Sequence, residues 1–388
     1  MSMHEDRLHG LLDSPLDDDR PGRNRRSWIA AGVALTAIAM VAVIVVLWGS
    51  GGSEEEEAAT TSLPEAVAGF PSDRAYAPLV ATDAGTLMFG GLEPLANLNG
   101  DRLSDVWRYD GATGLWWDVE APTGPPPRAG TAFAYDSQSQ LVVLFGGAVG
   151  SCEYPFCPDV VNDTWVYDPA ENSWERRSPS TAPPARHGHK MVYDSGSDRV
   201  VMFGGDSGSS WLEDTWLYDA DSDTWTELAA GEDDPWRTAQ HAMAYHPIAD
   251  RVVMWGGADR EESPVWALDV DKGVWEQLNA EPVAGSAWDA CFVWDASSER
   301  LLLFGGEGYT TEEIAEGVTT TGIRLRDQVW ALDLEAVAWA ELEPLPQAVS
   351  GQGCAADPDS TSIVIWHLDT VLLYDPVTGR TTVAESPS

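Results

Sequence analysis

The chain has 388 residues and carries 22 Lys and Arg against 63 Asp and Glu, a formal net charge of −41. A surface this negative repels phosphate backbones and anionic headgroups, because Lys and Arg supply most of the affinity for nucleic acid, which argues against nucleic acid as a partner. The length exceeds one ordinary domain but admits a single large repeat domain with a short appendage.

Residues 1–26 are polar, rich in Asp and Arg and poor in aromatics, which predicts a disordered tail. Residues 27–48, from Ser27 to Trp48, are uncharged and almost wholly apolar. A helix of that length reaches about 33 Å, enough to cross a hydrocarbon core of roughly 30 Å. Trp28 and Trp48 stand near its ends, at headgroup level. A cleaved signal peptide fits less well, because the apolar stretch is too long and no small-residue cleavage site or lipid-accepting Cys follows it. The segment reads as an uncleaved signal anchor, a single transmembrane helix. Arg20, Arg23, Arg25 and Arg26 precede it and Glu54 to Glu57 follow, so the positive-inside rule places the N-terminus in the cytoplasm and the remainder outside the cell membrane. Residues 49–74, with Gly51, Gly52 and Pro64, read as a flexible stalk.

From residue 75 to 388 the sequence repeats. A diglycine closes an apolar alternating run at Gly90-Gly91, Gly146-Gly147, Gly204-Gly205, Gly256-Gly257 and Gly305-Gly306. Each is followed by a Trp (107, 165, 216, 266, 330), and a second Trp stands nine residues on (116, 174, 225, 275, 339). Leu372, Tyr374 and Asp375 carry a sixth, worn copy, with His367-Leu368 in place of the diglycine and Thr381 in place of the second Trp. Fixed-period self-similarity with period-two alternation and β-branched or aromatic enrichment predicts repeated units built of half-buried β-strands. The Trp residues would pack sheet on sheet. Segments such as Met191-Val192-Tyr193-Asp194 through Phe203-Gly204-Gly205 closely resemble the kelch repeat. That resemblance implies an all-β, six-bladed kelch-type β-propeller. Ring closure stays open between side-chain packing alone and an edge strand contributed by residues 62–74.

One connection varies in length. The second glycine lies 16, 18, 11, 9 and 24 residues before the next Trp in repeats one to five, whereas the other connections stay nearly constant. The variable connection opens on the same face as the blade-to-blade crossovers, so that face is the binding candidate. Its candidate ligand-binding residues are Tyr154, Phe156, Trp211, Trp236, Arg237, Tyr309 and Arg324, with Trp288 and Asp289 also on the crossovers. Aromatics among acids and Arg suit a protein or cell-envelope glycan.

Cys152 and Cys157 flank a Pro-containing loop and are read as a disulfide that shapes the loop, worth only about 2 kcal/mol. Cys291 and Cys354 fall on first strands of adjacent blades, one position out of phase, and are read as buried free thiols. His187, His189 and His241 could evoke a metal, but the kelch pattern itself often has His there; no metal or cofactor is expected, and Asp219, Asp221 and Asp223 read as a turn. Some kelch propellers are sugar oxidases or mutarotases, but no catalytic residue carries over from them. The expectation is a membrane-anchored extracytoplasmic propeller acting as a binding or scaffold module, with a carbohydrate-active enzyme as the alternative.

A reporter fused to the C-terminus should be active only on the outer side of the membrane. Activity confined to the cytoplasm would reverse the orientation.

Overall fold

The computed structural model describes residues 67–93, 101–150, 159–231, 234–257, 263–281, 287–315 and 318–384. The tail, the apolar segment 27–48 and the Cys152 to Cys157 loop, with Tyr154 and Phe156, lie outside these residues. Among the described residues no helix is long and apolar enough to cross a membrane.

Six antiparallel sheets follow one another along the chain as six blades, at residues 79–118, 132–176, 190–227, 242–278, 291–342 and 353–384. In the third, strands Lys190–Asp194, Arg199–Phe203, Thr215–Asp219 and Thr224–Glu227 pair in sequence order from the channel outwards. Blade 1 carries a fifth, outermost strand, Val67–Gly69, which pairs with Leu115–Asp118 in the register Val67↔Asp118 to Gly69↔Trp116. Residues 67–74 therefore belong to the propeller and not to a stalk. Phe70 packs on Trp366 at 5.4 Å and Arg74 is buried. Apolar burial outweighs the Pro and Gly content that marks this stretch as a linker. Every blade takes its four principal strands from one repeat, so the ring closes by packing blade 6 on blade 1, assisted by a backbone bond from Arg74 N–H to Leu368 C=O.

The hydrophobic core is divided among the six blade-to-blade interfaces, each with its own buried cluster. The second Trp of a blade reaches back to the aromatic that precedes the diglycine of the blade before it. Trp174 meets Phe89 at 5.3 Å, Trp225 meets Phe145 at 5.1 Å, Trp275 meets Phe203 at 5.4 Å and Trp339 meets Trp255 at 6.1 Å. Trp116 closes the circle on Trp366 at 5.5 Å. In the worn repeat, where Thr381 replaces the Trp, Tyr374 takes over the contact to Phe304 at 5.1 Å.

The diglycines serve the same interfaces. A Cβ on Gly146, Gly204, Gly256 or Gly305 would stand 2.5–2.7 Å from the carbonyl oxygen of the next blade's entering strand, at Arg186, Thr238, Ala287 or Val349. The second glycine of each pair donates its N–H to that same carbonyl at 2.8–2.9 Å. Only a residue without a side chain permits so close a backbone approach at positive φ.

In blades 1 to 3 a buried arginine adds a polar fastener. Arg74, Arg128 and Arg186 each grip an aspartate, Asp105, Asp163 or Asp214, through both guanidinium nitrogens at 2.6–3.0 Å. Each also donates to a diglycine carbonyl, and the aspartate accepts from the indole of Trp107, Trp165 or Trp216. In blades 4 to 6 the Arg position holds Thr238, Ala287 and Val349 and the Asp position Pro264, Gln328 and Thr370, so both partners are absent together.

Cys291 and Cys354 form a disulfide, with Cα atoms 6.0 Å apart, and are not free thiols. The one-residue offset does turn them to opposite faces of their own sheets. Phe292 packs toward blade 4 while Cys291 and Val293 pack toward blade 6, and Ala355 packs toward blade 1 while Cys354 packs toward blade 5. In a ring those opposite faces are the two that meet.

Two stability tests follow from these contacts. Arg128→Met should cost about 3–5 kcal/mol by leaving Asp163 uncompensated, whereas Arg128→Met combined with Asp163→Leu should recover most of it in denaturant melts. Burial opposes the charge on Asp163, but the Arg128 hydrogen bond and charge hold its pKa below the ordinary value. That stabilisation is therefore complete above the unfolded carboxylate pKa, is lost as pH falls through the depressed one, and should be missing from the double variant. Replacing Cys291 and Cys354 by Ser removes a crosslink spanning 63 residues; the chain-entropy estimate is about 4 kcal/mol, and an unchanged thermal midpoint would contradict a formed bridge.

Candidate functional site

The six first strands line a central channel of about 390 Å³, and the channel opens on the face of the crossovers into a mouth of about 500 Å³. Six peptide groups, one per blade, rim that mouth in a closed circle of hydrogen bonds. Gly130 N–H donates to Tyr76 C=O (3.3 Å), Gly188 to Gly130, Gln240 to Gly188 and Asp289 to Gln240 (2.8 Å each), Gly351 to Asp289 (3.3 Å) and Tyr76 to Gly351 (3.0 Å). All six residues sit at φ between +52° and +64°. Three are glycines; Tyr76, Gln240 and Asp289 hold the same conformation with side chains, at a cost of order 1–3 kcal/mol each. Strain of this kind concentrates at sites of function.

Those side chains project into the mouth with Arg102, His187 and Lys190. The Gln240 amide donates to Asp289 Oδ2 at 2.8 Å. Burial, reinforced by Glu307 and opposed by Lys190, raises the Asp289 carboxyl to about 7. Burial lowers the Lys190 ammonium, with Asp289 acting against it. The Tyr76 hydroxyl is raised by burial and by Asp289 and Glu307. His187 is lowered by burial, with Asp206 opposing. His189 and His241 are buried edge-on to Phe145 and Phe203 in successive interfaces, and burial keeps both neutral, His241 near 3. They act as packing groups.

Of the seven residues singled out from the sequence, Tyr154 and Phe156 lie outside the described residues, and the other five do not converge on one site. Trp211 and Arg237 share a groove of about 450 Å³ with Asp206, Ser209 and Ser210. Trp236, next in sequence, turns onto Trp266 at 5.9 Å. Tyr309 packs at a tilt against Trp288, with ring centroids 5.1 Å apart. The connection from Glu307 to Arg326 is not an irregular loop: strands Glu307–Ala315 and Val318–Leu325 form an antiparallel hairpin, favoured by the β-branched residues at 310, 311 and 318–321. Tyr309 is opposite Ile323 and Glu307 opposite Leu325, so Tyr309, Ile323 and Leu325 share one face and all three are exposed. Arg324 lies opposite Gly308, on the other face.

Tyr76, Lys190 and Gln240 were not legible as site residues. One signal was available: the first-strand position of Lys190 holds Ala132, Ala242, Cys291 and Gly353 in other blades, so a charge there departs from a small-residue pattern.

Comparison with known proteins agrees with this architecture. The model of the Attractin/LZTR1 beta-propeller matches residues 154–354, more than half of the chain, and that of the KLHDC2/KLHL20/DRC7 Kelch-repeats domain matches residues 57–205. An F-box/kelch-repeat protein of Arabidopsis thaliana is 24% identical over 69% of this chain and 61% of its own length. Kelch domain-containing protein 10 of Xenopus tropicalis is 22% identical over 74% and 69%. Multiple epidermal growth factor-like domains protein 8 of Homo sapiens is 29% identical over 58% of this chain but only 8% of its own length. With repeat spacing, blade topology and family models in agreement, the chain belongs to the kelch-repeat β-propeller family.

Proposed function

We propose that this propeller is a scaffold or binding module, tethered to the cell membrane through residues 27–48 with the blades outside, and that it engages a protein partner through the crossover face. The observation that carries the reading is the hairpin of blade 5, which sets Tyr309, Ile323 and Leu325 together on one exposed face. Aromatic and aliphatic anchors on a hydrogen-bonded two-stranded element suit protein recognition better than scattered exposed side chains do, and binding energy concentrates on few such residues. The groove holding Trp211 and Arg237 adds an aromatic and a cation on the same side of the ring. The Cys291–Cys354 bridge supports the outward placement, because disulfides persist in oxidising compartments and are rare in the cytosol. The kelch names of the relatives are consistent with an interaction module. The residues described contain nothing that favours a glycan over a protein.

Proximity labelling from the full-length chain in its own cells tests this. Changing Tyr309→Ala and Ile323→Ser together should reduce labelling of the principal partner by roughly tenfold, the loss expected for a hot-spot pair. Folding stability should change by no more than about 0.5 kcal/mol, as for ordinary surface positions. Val377→Ser, on an exposed turn of the opposite face, should leave labelling intact. Loss with Val377→Ser but not with the hairpin pair would place the interaction on the other face.

A further inference from the structure

We infer that the channel mouth is also a binding site for a small organic carboxylate, held by the Lys190 ammonium with Asp289 as the neighbouring proton donor. This goes beyond the protein-binding role, since it uses the channel and not the loops.

Lys190 is the reason to look there. It stands at the top of a first strand, where four other blades place Ala, Cys or Gly, and it lines both the channel and its mouth. Among the described residues no carboxylate lies within ion-pair distance of its Nζ and the Nζ makes no hydrogen bond, while the buried cations Arg74, Arg128 and Arg186 are all paired. Lys190 is half-buried, so its ammonium offers an anion entering the mouth a charge that no protein group has paired. The chain carries −41 overall, but its exposed charges are screened beyond about 8 Å at physiological salt, so the local groups, Lys190 with Asp289 and Glu307, decide whether an anion enters the mouth.

The geometry limits the kind of anion. Six peptide N–H groups rim the mouth and would make a phosphate-binding nest, but all six are spent on the neighbouring carbonyls. Of the two cations at the mouth, Arg102 already donates to the Gly150 carbonyl, which leaves the Lys190 ammonium to balance one negative charge. The lining is otherwise largely apolar, with Pro78, Leu92, Ala129 and Ala148, and its volume is in the range of small-molecule sites. A monoanionic carboxylate with an apolar body fits, and a phosphate dianion does not.

Asp289 faces the same space. The charged and titratable groups around it are Lys190 from blade 3, Glu307 from the hairpin and Tyr76 from blade 1, with Arg102 and His187 on the rim. Glu307 already accepts from Ser350 Oγ at 2.7 Å. Protonated, Asp289 adds an O–H donor and withdraws a competing negative charge; ionised, it repels the ligand. With its pKa at about 7, carboxylate binding takes up a proton and strengthens as pH falls through that value.

The test is isothermal titration of the full-length chain, purified in detergent at constant chloride, with benzoate, acetate and inorganic phosphate. Benzoate should bind saturably with an affinity of about 1 mM or better near pH 6, ahead of acetate and phosphate, and roughly tenfold more weakly near pH 8. Lys190→Met should abolish binding and Lys190→Arg retain it, with folding checked by circular dichroism. Asp289→Asn should bind equally at both pH values. If Lys190→Met fails to fold, the Asp289→Asn pH profile decides. Absence of saturable benzoate binding, binding indifferent to Lys190→Met, or a pH dependence that survives Asp289→Asn would each overturn the assignment. Because none of these substitutions alters Tyr309, Ile323 or Leu325, failure here is separable from failure of partner binding.

Discussion

The closed circle of six peptide hydrogen bonds at the channel mouth is the constraint on which the rest of this molecule depends. Each blade gives one N–H and one C=O to its neighbours, from Tyr76 through Gly351, Asp289, Gln240, Gly188 and Gly130 and back. The diglycine contacts repeat the same logic one layer further out, with a carbonyl seated where a Cβ would have been. Backbone groups have fixed lengths, so these two layers set the separation and tilt of the blades independently of side-chain choice. Once that separation is fixed, the channel width, the mouth and the spacing of the upper loops are fixed with it.

Side chains then fasten the ring in different ways around its circumference. Aromatic contacts from the fourth strand back to the preceding blade recur at five interfaces, and Tyr374 supplies the sixth. Blades 1 to 3 add buried Arg–Asp pairs, whose desolvation is offset by bidentate geometry and a third bond to the diglycine carbonyl. Blades 5 and 6 lack that pair and are joined by a covalent bridge through the channel wall. The last repeat, which has lost the diglycine and the second Trp, is thus the one held by a disulfide.

The same geometry explains the chemistry of the mouth. Left-handed backbone at Tyr76, Gln240 and Asp289 aims three polar side chains inward from positions where the other blades have glycine. Asp289 and Lys190 then face a low-dielectric space in which each raises the other's tendency to be charged, against a larger penalty from burial. The upper face carries its variation on this rim: an eight-pair ladder in the blade 5 hairpin, and a short connection at residues 204–214 in blade 3.

The sequence by itself determined the repeat number, the strand alternation, the identity of the elaborated face and the positions of the packing tryptophans. Those properties are local and periodic: a Trp nine residues after another, or a diglycine after an apolar run, has the same meaning in each repeat. Only the tertiary structure decided what crosses between repeats. Cys291 and Cys354 appear mismatched because parity along a strand states which face of a sheet a side chain occupies, but not which face of the next sheet it will meet. Residues 67–74 resemble a linker until Trp116, Trp117 and Trp366 are in place to cover them. Lys190 and Asp289 are 99 residues apart in the chain and become neighbours only because the ring brings blades 3 and 5 around one axis, a separation that no local pattern can encode.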